Sequence, residues 1–181
     1  MGKTSNRPRR HERNKQKNRT TCRSKLSLAF QKTQEGTKCE TIVDLIDCFP
    51  NFLGCFAQDT LDKSFFRFPC TFLVNVDSYN QKGSHWLAIG LFKDTLEIFD
   101  PLGFTMFRWS SVPCNLLRFL HRYGKTREVF ISKRIQPLKS KNCAFYSLFY
   151  VLNRNTISFE KIQDLFKNPV TNEKILSNFF T

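Results

Sequence analysis

The sequence predicts an α+β fold, a small mixed sheet flanked by helices, and three observations predict it. Short apolar runs bounded by turn residues crowd into residues 70–100, helical apolar spacing stands on both sides of them, and no segment repeats at a fixed period. The chain has 181 residues, 40% of them hydrophobic and 20 of them Phe. That is enough to build a core, and it excludes a wholly disordered protein. No apolar stretch reaches about 18 uncharged residues, so no membrane-spanning helix is expected.

Each element has a local cause. Thr37 with Glu40 fits a capping box, and Ile42, Val43, Leu45 and Ile46 recur at helical spacing up to Cys48, where Phe49-Pro50-Asn51 ends the helix. Cys70–Asp77 (CTFLVNVD) reads as a buried strand. Trp86–Phe92 (WLAIGLF) and Thr95–Asp100 (TLEIFD) read as a hairpin turning at Lys93-Asp94. Val112–Tyr123 is a helix with Leu116, Leu117 and Leu120 on one side and Gly124 as its stop. Glu128–Ile135 is a further strand. Cys143–Asn153 (CAFYSLFYVLN) is apolar almost all round and so is a buried helix. Two short helices, capped by Ser158 and Thr171, follow it.

Charge divides the chain. The net charge is +14, and residues 1–38 hold twelve Lys and Arg against Glu12 and Glu35, a net +10, which leaves +4 for residues 39–181. Large apolar residues are nearly missing before Leu26, so this stretch cannot offset its chain entropy by burial. It reads as a disordered basic tail, 1–38, ahead of one folded domain, 39–181. Arg7, Arg9, Arg10, Arg13, Lys15, Lys17 and Arg19 are its candidate DNA contacts, through neutralised phosphates. Nuclear localisation and a plain solubilising extension are the other readings of the same residues. The opening MGKTSNRPRR has no apolar segment behind it, so no secretory signal is expected. Asn6 stands where a myristoylation signal wants Ser or Thr.

Seven cysteines, at 22, 39, 48, 55, 70, 114 and 143, make an odd count without a C-x-x-C pair. With no secretory signal, reduced thiols are expected, with neither a disulfide framework nor a metal site. Cys143 stands apart, because it opens the most apolar helix. A helix N-terminus and the nearby Lys139 and Lys141 both favour thiolate, the form that attacks carbonyls. Gln136, seven residues earlier, offers side-chain N–H groups suited to an oxyanion hole beside the Cys143 backbone N–H. In the hairpin, a two-residue turn at Lys93-Asp94 pairs Leu87 with Asp100 and makes His85 and Asp100 diagonal neighbours on one face. A carboxylate beside an imidazole fixes its tautomer and favours its protonated form. His121, beside Arg118 and Arg122, has no such partner and reads as part of a solvated helix face. Trp86 can shield the His85–Asp100 pair as well as pack the core.

The order of these pieces resembles the adenovirus endopeptidase (adenain) family, which is related in fold to the SUMO-deconjugating cysteine proteases. The residues carrying the resemblance are Gly83-Ser84-His85-Trp86, then Phe99-Asp100-Pro101-Leu102-Gly103-Phe104, then Gln136 seven residues before Cys143. Phe52-Leu53-Gly54 is similar to the family's early segment. The resemblance covers about residues 39–155 and leaves the tail outside. It implies an adenain-like fold with Cys143 as nucleophile, His85 as general base and acid, Asp100 orienting His85, and Gln136 in the oxyanion hole. It further implies cleavage of viral structural precursor proteins after glycine, during particle maturation in the host nucleus and the virion. DNA is then a candidate activator and partner, with no metal, no membrane and a monomeric enzyme expected.

Departures from the family pattern are equally specific. Asp100 replaces the usual Glu, and Ala144 follows the cysteine in place of Gly. The segment after Cys143 is shorter. The family's disulfide-linked activator peptide needs a cysteine where this chain has Lys125, which stands against such a peptide here. Deconjugation of ubiquitin-like modifiers, and nucleic-acid binding without catalysis, are the alternative functions.

Overall fold

The computed structural model describes residue 49 and residues 51–63, 66–81, 83–103 and 112–181. The basic segment 1–38 and the helix expected over residues 37–48 lie outside the described residues. Within them the chain is an α+β fold, a five-stranded mixed sheet with four α-helices. The strands are β1 (Phe52–Ala57), β2 (Cys70–Asn75), β3 (Trp86–Leu91), β4 (Thr95–Phe99) and β5 (Glu128–Ile131), and they lie side by side in chain order.

The inner pairs β2–β3 and β3–β4 are antiparallel, whereas β1–β2 and β4–β5 are parallel. Parallel neighbours need a crossover. A 3-10 helix, Gln58–Lys63, supplies the first, and α1 (Cys114–Gly124) supplies the second. Both pack on the same face, where Leu61, Leu116, Phe119 and Leu120 meet Phe72, Val74, Leu87, Ile89, Leu96 and Ile98. The other face carries α2 (Cys143–Asn153), α3 (Phe159–Leu165) and α4 (Pro169–Phe180). These pack on Leu73, Trp86, Ala88 and Phe99, the alternate residues of the same strands. A sheet covered on both faces explains why β3 is apolar throughout rather than alternating.

The hairpin has the expected register. Leu91 pairs with Leu96 and Ala88 with Phe99, and Phe92 N–H donates to Thr95 O at 2.9 Å to close the two-residue turn. The face of β3 toward α2 shrinks along the strand, from Trp86 through Ala88 to Gly90. A side chain at Gly90 would run into the Tyr150 hydroxyl, so glycine here lets α2 lie against the sheet.

Several boundaries differ from the sequence expectation. β3 and β4 each end one residue earlier, at Leu91 and Phe99, and α1 starts at Cys114 and includes Gly124 as its last residue rather than stopping before it. β2 stops at Asn75 because the Asn75 side chain accepts the Asp77 N–H at 3.0 Å in a local turn. β5 ends at Ile131, since the next residue, Ser132, is bonded to Asp100. The last helix starts at Pro169, capped by Asn168 rather than Thr171; Pro at the first position suits a helix start. Phe52–Ala57 is an edge strand that the sequence pattern did not announce, and Gly54 there takes φ 96° beside a register irregularity.

Candidate active site

The start of β3, the end of β4 and the N-terminus of α2 meet at one end of the sheet. The hairpin register sets His85 diagonally from Asp100, and His85 Nε2 donates to Asp100 Oδ1 at 2.8 Å, with both residues buried. α2 comes to the same place because Ser147, one turn after Cys143, donates its hydroxyl to Trp86 O at 3.1 Å. Cys143 lies on the other side of the ring, near enough that its side chain, like Asp100, raises the His85 pKa. With Nε2 committed to Asp100, Nδ1 is the ring nitrogen left for the sulfur. Cys143, 8% exposed, is the first residue of α2.

Asp100 is held from several directions. Its Oδ1 also accepts the Leu102 N–H at 2.9 Å, and its backbone is clamped by Ser132, whose Oγ accepts the Asp100 N–H and donates to Asp100 O, each at 2.8 Å. The turn Asp100–Gly103 closes through Gly103 N–H to Asp100 O at 2.9 Å. Gly103 sits at φ 77° against the Arg134 backbone, so glycine is required there. Nothing in the sequence singled out Ser132, because a lone Ser inside the expected strand Glu128–Ile135 gives no sign of a partner 32 residues away.

Burial by itself pushes the His85 pKa down. The Asp100 and Cys143 side chains together outweigh that effect and lift it from 6.5 to about 9. The imidazole thus keeps its proton between a carboxylate and a sulfur. Cys70 differs: it is buried without such partners, and its thiol is pushed up to about 12.

Gln136 is buried, and its position follows from Pro101, whose carbonyl accepts the N–H of both Ile135 (2.9 Å) and Gln136 (2.8 Å). The glutamine therefore lies beside the Asp100 turn. Its Nε2 donates one hydrogen to Ser140 O at 2.8 Å, within the loop leading to Cys143. An amide nitrogen carries two hydrogens, so a second remains to be donated. Lys139 and Lys141 are exposed on that loop, and the ionisable group that the Cys143 side chain affects is His85. Arg7, Arg9, Arg10, Arg13, Lys15, Lys17 and Arg19 lie outside the described residues.

A second polar cluster lies farther along the same face. Glu97 on β4 accepts from Tyr150 OH and from Arg154 Nε through Oε2, and from Arg154 Nη2 through Oε1, each at 2.6 Å. The opposite face holds a nearly apolar cavity of about 480 Å³ between α1 and the β4–β5 edge, lined by Leu96, Ile98, Leu117, Leu120 and Val129, with Lys125 among its lining residues. Among the described residues no group of three or more His, Cys, Asp or Glu stands together to hold a metal ion, and no helix is long and apolar enough to cross a membrane.

No protein-family model matches the chain, and no curated protein matches it. Among solved structures it is similar to the ASFV pS273R protease, at a TM-score of 0.34 and 24% identity. The match covers 62% of this chain and 45% of that one, so this chain spans less than half the length of that protease.

Proposed function

We propose that the chain is a cysteine endopeptidase of the adenain type, acting on viral structural precursor proteins. The observation that carries this reading is the single imidazole of His85, hydrogen-bonded to Asp100 at 2.8 Å and with the Cys143 side chain near enough to raise its pKa as well. In the reaction the Cys143 sulfur attacks the scissile carbonyl, and the oxyanion is met by the Cys143 N–H and the free N–H of Gln136. His85 gives its proton to the leaving amine as the C–N bond breaks. It then takes a proton from the water whose oxygen adds to the thioester carbonyl. As the C–S bond breaks the acid product leaves, and the proton on His85 is again shared with the freed Cys143 sulfur. Asp100 keeps the ring's tautomer and orientation through both steps.

The test is hydrolysis of glycine-containing peptides by the full chain and by Cys143→Ala. We expect the variant to fold and to lose activity by at least about 10⁴-fold. Unchanged turnover would remove Cys143 from the mechanism. A ubiquitin-like conjugate assayed in parallel separates precursor cleavage from deconjugation.

For residues 1–38 we propose DNA contact, which places the protease on its substrate in the particle and the host nucleus. With about ten phosphates neutralised, the log–log dependence of affinity on salt would approach a slope of about −9, and deleting residues 1–38 should flatten most of it. A slope that survives the deletion puts the contacts on the folded domain.

A further inference from the structure

Two adjacent residues of α4 reach both ends of the loop that runs from Gln136 to Cys143. Asn172 is fully buried, and its Nδ2 donates to Ile135 O at 2.7 Å, fixing the peptide that leads into Gln136. Glu173 takes the other end: its Oε2 accepts from Asn142 Nδ2 at 2.6 Å and its Oε1 from Tyr146 OH at 3.2 Å. Burial, together with Glu173, pushes the Tyr146 hydroxyl well above its ordinary pKa, so it stays a donor. Both gripping residues sit in the first turns of a helix whose start is set by Pro169 and the Asn168 cap.

Asn142 makes this arrangement more than a brace. It is the N-cap residue of α2, where an Asn side chain ordinarily folds back to accept an N–H of the first helical turn. Here no side-chain cap bond forms, and the Asn142 amide points to Glu173 instead. Of the two N–H groups such a cap would take, that of Phe145 donates to Asn142 O at 3.0 Å. That of Ala144, next to the Cys143 N–H, is left without the Asn142 side chain over it, which keeps the approach to the oxyanion site open. A glutamate 31 residues downstream keeps the cap open.

We propose that Asn172 and Glu173 are positioning residues for the oxyanion hole, with Glu173 holding Asn142 away from the N-terminus of α2. This rests on the reading of Cys143 and Gln136 given above. Three probes of the full-length chain test it: peptide hydrolysis, inhibition by a peptide aldehyde, whose adduct with the thiol places an oxygen in the hole, and alkylation by iodoacetamide, which needs no hole. For Glu173→Ala we expect kcat to fall about tenfold or more with KM little changed, because misplacement by 1 Å costs on the order of 10²-fold. Aldehyde inhibition should weaken by a similar factor, and alkylation should hold within about twofold. Glu173→Gln keeps an acceptor for Asn142 and should retain most activity. Adding Asn142→Ala to Glu173→Ala removes the side chain that would close the cap, and should recover part of the loss.

Loss of hydrolysis, alkylation and thermal stability together in Glu173→Ala would overturn the proposal in favour of a merely structural contact. So would an unaltered kcat. If the unmodified chain hydrolyses no peptide, the protease reading falls separately. The clamp is then judged by amide exchange over residues 136–143, expected faster in Glu173→Ala and overturned if unchanged.

Discussion

The two faces of the sheet are attached to their helices by different forces. Among the described residues the buried core side chains of the α1 face are apolar or aromatic, with Phe66 stacked on Phe72 at 4.6 Å and Phe119 against both. A part-buried bond from Asn115 Nδ2 to Gln58 Oε1 at 3.0 Å joins the two helices above them. Burial of that kind is non-directional, and it leaves a solvent-open apolar groove of about 480 Å³ beside β5. On the α2 face directional bonds cross the interface at both ends of the helix, Ser147 to Trp86 near its start and Tyr150 and Arg154 to Glu97 near its end. Hydrophobic area alone would allow α2 to slide or rotate. Two polar anchors about a turn or more apart fix its register, and with it the approach of Cys143 to His85. The face that carries Cys143 and His85 is the face whose position is specified by hydrogen bonds.

The largest effect expected from breaking this contrast is at the His85 end. Asp100→Asn removes the charge beside the ring while an amide oxygen can still accept from it, and we expect a fall in kcat of between about 10² and about 10⁴-fold. Activity should fade at alkaline pH as His85 loses its proton near pH 9, and in the variant this limb should move toward acid. Stability follows the same group. A folded pKa raised from 6.5 to about 9 gives a contribution that is complete below about pH 6.5 and lost as pH rises through about 9. Denaturant titrations of the wild type and Asp100→Asn at pH 6 and pH 9.5 should therefore differ more at the lower pH.

The far anchor comes next. Arg154→Ala leaves the Glu97 carboxylate buried with only the Tyr150 hydroxyl as partner, and should cost about 3–5 kcal/mol in unfolding free energy. Glu97→Gln keeps an acceptor for both partners, so a smaller loss of about 1–2 kcal/mol is expected. Equal losses from the two would mean that the cluster is not held by the charge pair.

How far these features could be read from the sequence depends on how local their causes are. The His85–Asp100 contact was legible because a two-residue turn at Lys93-Asp94 fixes every pairing in the hairpin. α2 was legible to the residue, since an apolar run of that length has nowhere to go but the core. Glu97 was not: in TLEIF it occupies an alternating position that reads as solvent-facing, and its burial is decided by Arg154, 57 residues away. Asn172 and Glu173 were hidden for the same reason, as polar residues in the first turns of a helix otherwise point to water. β1 escaped notice because its pairing with β2 is parallel and non-local, and because Gly54 and the irregularity before Cys55 break its alternation.

The smallest effect discriminates the two faces most directly. Ala88 on β3 and Val129 on β5 can each take extra methyl or methylene groups without changing β propensity for the worse. Ala88 is fully buried under α2, between Trp86 and Gly90, where Gly90 already touches the limit of space below Tyr150. Ala88→Val should therefore cost about 1–3 kcal/mol, because a packed interface fixed by hydrogen bonds cannot back away. Val129 lines the cavity and is 44% exposed. Val129→Ile puts one methylene into open apolar space, and the gain is bounded by about 0.8 kcal/mol for full burial, with about half of that expected at this exposure. Denaturant midpoints moving in opposite directions would establish that α2 is held at a set distance while α1 is not. If both substitutions destabilise alike, the α1 face is as closely specified as the face that carries Cys143, and polar anchoring is not what distinguishes them.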